Sequence, residues 1–199
     1  SIYTEVERMS KMCKLDADKT AVVLGCGMEG LLTVAALKTL GINKIIVIDK
    51  ESEKSRAMEF GAWEFIGSHG KNGVAGVKDK IRAAAGDMAD AVFICTDSPM
   101  GRNVARRFMK NSGSICEMGF LCGWRRTPTA RYFEDSMPAG GRFYAARDYE
   151  NCMNFLAKAA EMKLPLYKLI THRYKLEEIN EAMWTVVREE GLGIAVFNR

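Results

Sequence analysis

The sequence is poor in histidine and lacks a paired-cysteine motif. Its 199 residues include two histidines, His69 and His172, and six cysteines, none of them in a CxxC pair. Zinc sites are built from close sets of cysteine, histidine and carboxylate ligands, so we expect no metal site within this chain. Cysteines inside apolar runs are typical of buried thiols in a reducing compartment, which predicts a cytoplasmic location.

Long apolar runs and a strong charge of one sign are also missing. No apolar stretch approaches the roughly 20 residues of a membrane-spanning helix, and no signal peptide is recognisable. The net charge is only +4, and basic and acidic residues are interleaved, as in residues 49–56. This pattern is typical of a solvated surface. We therefore expect neither a membrane nor a nucleic acid as a partner.

Glycine, in contrast, occurs in an informative pattern within residues 21–49. An apolar run leads to Gly25, Gly27 and Gly30, a helix-like stretch follows, and a second apolar run ends in Asp49. In a nucleotide-binding βαβ unit these glycines allow a tight turn, the approach of a phosphate, and close helix packing. The start of the helix then faces the pyrophosphate. Asp49, nineteen residues after Gly30, has the spacing of a carboxylate that binds the adenosine ribose.

Short apolar strands alternate with helical patterns along the rest of the chain. This alternation predicts a doubly wound α/β fold of the Rossmann type, with a parallel sheet covered by helices on both faces. The predicted helices are 52–60, 77–85, 99–110, 149–162 and 176–189, and the predicted later strands are 63–66, 89–96, 114–120, 142–145, 168–171 and 194–197.

Several of these segments resemble the cofactor-binding, C-terminal half of the medium-chain, zinc-type alcohol and polyol dehydrogenases. The resemblance covers nearly the whole chain, and its most specific part is the tail LITHRYKLEEINEAM. The other segments that carry it are AVVLGCGMEGLL, VIDKESEKSRAMEFGA, ADAVFICTDSP and NSGSICEMGF.

The resemblance implies roles for individual residues. Asp49 would hold the adenosine ribose and favour NAD over NADP, with Lys54 near the same ribose; neighbouring Lys50 and Lys54 would partly offset the repulsion of a 2′-phosphate. Thr96 would lie near the cofactor, the backbone of Met118 and Gly119 would hold the nicotinamide carboxamide, and Phe143 would line the nicotinamide side. The predicted cofactor-binding residues are Gly25, Gly27, Met28, Glu29, Gly30, Asp49, Lys50, Lys54, Thr96, Met118, Gly119 and Phe143.

The chain departs from the family pattern at three positions. Glu29 replaces a small apolar residue and brings a negative charge near the pyrophosphate. Asp97 stands where a glycine is usual, and Gly193 stands where some members have a basic residue that contacts the pyrophosphate. These departures put cofactor affinity in question. His172 falls at a position that is structural in the family, so no residue is assigned a catalytic role.

In the family the zinc ligands, the proton relay and most of the substrate pocket belong to an N-terminal domain. We therefore expect residues 1–20 to be a helix from the domain junction, 21–165 the Rossmann domain, and 166–199 a tail that packs toward the absent catalytic domain. The predicted function is NAD(H) binding in a zinc-type dehydrogenase that oxidises a secondary alcohol or polyol, and the chain alone is not expected to be competent. A homodimer through the sheet edge near Phe143 is also implied.

Two other functions stay open on the sequence. Glu29 and Gly193 favour a non-catalytic nucleotide-binding or dimerisation module. The LGCG segment followed by an acid at the next strand end also resembles the S-adenosylmethionine site of methyltransferases, although Gly30 suits the dinucleotide motif better.

Overall fold

A computed structural model describes residues 2–68, 73–96, 99–118, 146, 148–188 and 191–197. The chain divides into two compact units, Ser1–Leu164 and Pro165–Arg199. Within the described residues, no helix has the length and apolarity required to cross a membrane.

The first unit is built on a parallel sheet, which confirms the predicted fold class. Its strands lie in the spatial order β3-β2-β1-β4-β5. The central strand consists of Thr-Ala-Val-Val-Leu and is buried along its whole length, as expected for a strand covered on both faces. The strands are β1 (Thr20–Leu24), β2 (Lys44–Asp49), β3 (Glu64–Gly67), β4 (Ala89–Ile94) and β5 (Met109–Glu117).

Helices cover this sheet because alternate residues of each strand point to opposite faces. Val22 and Leu24 of β1 belong to an apolar cluster that also contains Val77, Ile81 and Phe108. The helices are α1 (Ile2–Met12), α2 (Met28–Thr39), α3 (Lys54–Glu59), α4 (Gly73–Ala85), α5 (Pro99–Ala105) and α6 (Asp148–Glu161), with 3₁₀ turns at Glu51–Glu53 and Arg106–Phe108.

Helix α1, predicted to come from a domain junction, is packed against α2 and α6 within the first unit. The rings of Tyr3 and Phe155 stack with their centroids 4.7 Å apart, and Val6 is fully buried. The apolar face of α1 is therefore buried against α2 and α6.

The predicted helix 99–110 is too long, and this prediction is corrected. Helix α5 ends at Ala105, the chain passes through a 3₁₀ turn that buries Phe108, and β5 begins at Met109. Met109 pairs with Ala89 and Ser114 with Ala91, so the residues between them bulge from the strand. The Asn-Ser-Gly segment, which resembles a break between elements, is instead an irregularity inside β5.

The second unit is a small βαβ arrangement. Strands β6 (Ile170–Lys175) and β7 (Gly193–Phe197) pair in parallel and are connected through α7 (Ile179–Val187). The predicted strand 168–171 is displaced, because Leu166–Leu169 forms a 3₁₀ turn with Pro165 as its N-cap residue. Leu176–Glu178, predicted as α-helix, is also a 3₁₀ turn. The predicted strand 142–145 lies outside the described residues.

Candidate functional site

The glycine loop between β1 and α2 requires glycine at two of its positions. Gly25 has φ +99°, and a Cβ there would lie 2.6 Å from the carbonyl oxygen of Cys95. A Cβ on Gly30 would collide with the carbonyl oxygen of Gly25. The first turn of α2 is therefore pressed against the end of β1, as a phosphate-binding loop requires.

Gly27 is different because it faces open space. It is the N-cap residue of α2, and a Cβ there would meet no atom within 4 Å. Gly27 also has no side chain with which to cap the helix, and the positive end of the helix dipole lies beside this space. The start of α2 therefore has both the room and the polarity to accept a phosphate. Met28 and Glu29 occupy the first turn of the same helix.

Asp49 connects the end of β2 to this loop. Its Oδ2 accepts a hydrogen bond of 2.6 Å from the backbone N–H of Cys26, and its Oδ1 accepts one of 2.6 Å from the N–H of Lys50. Each carboxylate oxygen has a second lone pair for another donor. The carboxylate therefore fixes the glycine loop and retains acceptor capacity for ribose hydroxyl groups.

A cavity of about 510 Å³ lies at the carboxyl ends of the strands. Four predicted residues meet at its wall: Gly25, Asp49, Lys50 and Thr96. Its remaining wall is mostly apolar, and the six apolar side chains are Leu24, Ile48, Val74, Val77, Val104 and Phe108. A crevice at this end of a parallel sheet is the usual ligand position in open α/β folds, and the apolar wall suits a flat base.

The thiol within the glycine loop stays neutral near pH 7. Cys26 is 2% exposed. Burial, followed by the negative charges of Asp49 and Glu53, raises its pKa to about 12, although Arg56 opposes this shift. Burial is also the main cause that raises the pKa of Cys95, which directly follows β4, to about 12. Neither thiol supplies a nucleophile at neutral pH, because the thiolate is the reactive form.

The other predicted residues are placed less centrally. The Nζ of Lys54 lies 3.9 Å from Oε1 of Glu51, and both side chains are largely exposed. Met118 is 2% exposed, and its backbone N–H donates to the carbonyl of Ile94 at 2.9 Å. Neither Lys54 nor Met118 is among the residues that line the cavity. Gly119, Phe143 and Asp97 lie outside the described residues.

The two remaining residues of interest belong to the second unit. His172 stacks on Tyr174, and its Nδ1 lies 2.9 Å from Oγ1 of Thr171. Gly193 begins β7, and its carbonyl accepts a hydrogen bond of 3.2 Å from the Thr171 hydroxyl. Across the described part of the chain, no group of three or more potential ligand side chains is arranged to hold a metal ion.

Sequence reasoning missed the parts of the cavity that come from α4, α5 and the turn after α5. In the sequence, Val74, Val104 and Phe108 cannot be told from core residues, because their apolar spacing is that of any buried helix face. The available signal was a glycine inside the predicted helix 99–110: a Cβ on Gly101 would approach Cγ2 of Thr96 to 2.6 Å. Only the packing of these elements across the strand ends converts part of the core face into a cavity wall.

Comparison with known proteins is consistent with this geometry. The sequence model of a family described as zinc-binding dehydrogenase matches residues 30–158. Sorbitol dehydrogenase 1 of Saccharomyces cerevisiae is 29% identical over 166 residues, which cover 81% of this chain and 46% of that protein. The chain thus spans about half the length of the curated relatives it matches.

Solved structures show the same fold. An alcohol dehydrogenase from Thermotoga maritima is similar with a TM-score of 0.84 at 20% identity, over 98% of this chain and 54% of that chain. A short chain alcohol dehydrogenase from Escherichia coli CFT073, solved with the cofactor NADH, has a TM-score of 0.71 at 20% identity, over 98% of this chain and 56% of that chain.

Proposed function

The chain belongs to the zinc-binding dehydrogenase family, and on that premise we propose that it is the NAD(H)-binding half of a dehydrogenase that oxidises a secondary alcohol or polyol to a ketone. The observation that carries the proposal is the cavity of about 510 Å³ beside the glycine loop, with Asp49 at its wall. Its apolar side suits the adenine, Asp49 suits the ribose, and the open start of α2 suits the pyrophosphate.

NAD(H), when bound, supplies the hydride chemistry, and the chain's own residues bind and orient it. Asp49 has lone pairs that would accept hydrogen bonds from the ribose hydroxyls, and the N–H groups at the start of α2 would hold the phosphates. We propose NAD rather than NADP because the Asp49 carboxylate repels a 2′-phosphate. The roles of Lys54, Thr96, Met118, Gly119 and Phe143 remain proposals that rest on the family resemblance.

The binding proposal has a direct test. Calorimetry with NADH, NADPH and S-adenosylmethionine should show selective heat of binding for NADH. Ser68 is exposed at the cavity wall, so a Ser68→Trp variant should fill the cavity and weaken NADH binding. Ser55→Trp, on the exposed side of α3, is the matched control and should bind normally. Equal binding by both variants would show that the cofactor lies elsewhere.

The catalytic part of the proposal needs a second domain. We propose that the zinc ion and the proton relay belong to an N-terminal domain of the kind present in the family. Residues 1–20 would follow that domain, and residues 166–199 would pack back toward it. The exposed apolar residues of α7 support this packing: Met183, Trp184 and Val187 are 59%, 58% and 64% exposed, which is unusual for a helix with no partner.

Any coding sequence found upstream of this chain would provide the test of catalysis. Together with that sequence, the protein should reduce NAD with sorbitol or another polyol, followed at the absorbance of NADH. An upstream sequence without a set of cysteine and histidine ligands would contradict the proposal.

We propose cytoplasmic location and a homodimer through the edge near Phe143 on the resemblance alone. Light scattering of the parent chain and of Phe143→Lys tests the dimer, and equal masses would contradict it.

The alternative of a non-catalytic nucleotide-binding or dimerisation module is kept for one observation. Glu29 places an acidic side chain in the first turn of α2, next to the proposed phosphate position. Absence of NADH binding by the parent chain, restored by Glu29→Ala, would favour this alternative. The family match gives no support to the third function, that of an S-adenosylmethionine-dependent methyltransferase.

A further inference from the structure

Glu51 lies next to Asp49 at the strand ends. It opens the 3₁₀ turn two residues after Asp49, and a Cβ on Gly67 would collide with its Oε2. Gly67 is also the register partner of Asp49 across β2 and β3. Because neighbouring strands are about 4.8 Å apart, the two carboxylates lie within about one or two strand spacings of each other.

Two basic side chains that follow Asp49, those of Lys54 and Arg56, already have acidic partners. Lys54 lies 3.9 Å from Glu51, and Arg56 Nη1 donates to Oε2 of Glu53 at 2.6 Å. A phosphate on the adenosine ribose would have to compete with Glu51 for Lys54. Glu51 therefore acts on such a phosphate in two ways, by direct repulsion and by pairing with Lys54.

We propose that Glu51 is a second determinant of cofactor choice, which excludes a ribose 2′-phosphate from the site beside Asp49. This inference rests on the proposed function, because it assumes that the adenosine ribose binds at Asp49. A ribose with a free 2′-hydroxyl carries no added charge there, so Glu51 discriminates against NADP(H) with little effect on NAD(H).

The test uses ADP-ribose and 2′-phospho-ADP-ribose as probes, so that the nicotinamide side does not enter the comparison. Calorimetry at low ionic strength compares the parent chain, Glu51→Gln, and Glu59→Gln. Glu59, the last residue of α3, is the matched control because its variant changes the net charge equally. Glu51 is 71% exposed, so its replacement should leave the fold intact.

In Glu51→Gln the affinity for 2′-phospho-ADP-ribose should rise by about threefold to tenfold, as expected for one charge acting on a dianion across about 7 Å of solvent-exposed space. The affinity for ADP-ribose should stay unchanged, and Glu59→Gln should change neither. At an ionic strength of about 1 M, where charges are screened beyond about 3 Å, the gain should disappear.

Two results would overturn the role of Glu51 while leaving the proposed function intact. One is ADP-ribose binding with an unchanged preference in Glu51→Gln. The other is an equal gain in Glu59→Gln, which would attribute the effect to net charge. Failure of the parent chain to bind ADP-ribose at all would instead overturn the proposed function, and with it the premise of this inference.

Discussion

Asp49→Ala should affect the stability of the fold as well as the cofactor. The substitution removes the acceptors of two hydrogen bonds of 2.6 Å, from the N–H groups of Cys26 and Lys50. Hydrogen bonds to a charged acceptor contribute about 1.5–3 kcal/mol each. Asp49 is only partly buried and water replaces some of the loss, so we expect about 2 kcal/mol for the pair.

This loss is measurable as a change in melting temperature. For a unit of this size, 1 kcal/mol corresponds to about 2–4 °C, so Asp49→Ala should melt about 4–8 °C below the parent chain when followed by circular dichroism. Asp49→Asn keeps one acceptor oxygen and should lose about half as much. Asp79→Asn, an exposed acid of α4, removes the same charge elsewhere and should melt with the parent.

Loss of NADH binding in Asp49→Ala therefore does not by itself identify a ribose contact, because the displaced glycine loop would also weaken binding. A cycle that combines Asp49→Asn with 2′-deoxy-ADP-ribose separates the two causes. If Asp49 holds the 2′-hydroxyl, removal of that hydroxyl should weaken binding to the parent chain but not to the variant. An unchanged melting temperature in Asp49→Ala would refute the reasoning about the loop.

Three other predictions concern the loop, the thiols and the base of the sheet. Gly30→Ala should destabilise the chain by about 1–3 kcal/mol, because its Cβ would clash with Gly25. Gly27→Ala should melt at the temperature of the parent, because its Cβ enters open space, but it should bind NADH more weakly, because that space is the proposed phosphate position. Equal melting temperatures of the two variants would contradict this prediction. A hydrogen bond from Cys116 lowers the pKa of Cys13 to about 6, although burial opposes this shift. Alkylation followed by mass spectrometry should therefore modify Cys13 before Cys26 and Cys95, with a rate that rises through about pH 6 and then levels, while Cys26 and Cys95 stay unmodified at pH 8. Burial raises the pKa of Asp90, but hydrogen bonds from the Thr20 N–H and from Lys110 outweigh burial and lower this pKa below its usual value. The Asp90 carboxylate therefore stabilises the fold above its unfolded pKa, and this contribution is lost as the pH falls through the lowered pKa. In urea unfolding at pH 7, Asp90→Asn should cost about 1–2 kcal/mol, and a cost that is the same at pH 3 as at pH 7 would argue against the Asp90–Lys110 ion pair.

Much of the fold and of the loop follows from local sequence patterns. The buried run of β1, the positions of Gly25 and Gly30, and the acid at the end of β2 are constraints within about 30 residues of one another, so periodicity and spacing are sufficient to predict them. The end of α5 was not predictable in this way. Its helical pattern continues past Ala105, and only the burial of Phe108 and the pairing of Met109 with Ala89 end the helix.

The sequence by itself determined the α/β class, the nucleotide-type loop and the carboxylate at Asp49, because each depends on neighbours in the chain. The tertiary structure decided what surrounds them. It brought Val74, Val104 and Phe108 to the strand ends as the apolar wall of one cavity, and it placed Glu51 against Gly67 of the next strand. Contacts between distant elements depend on how helices pack across a sheet, and apolar spacing along one element carries no record of which partner it meets.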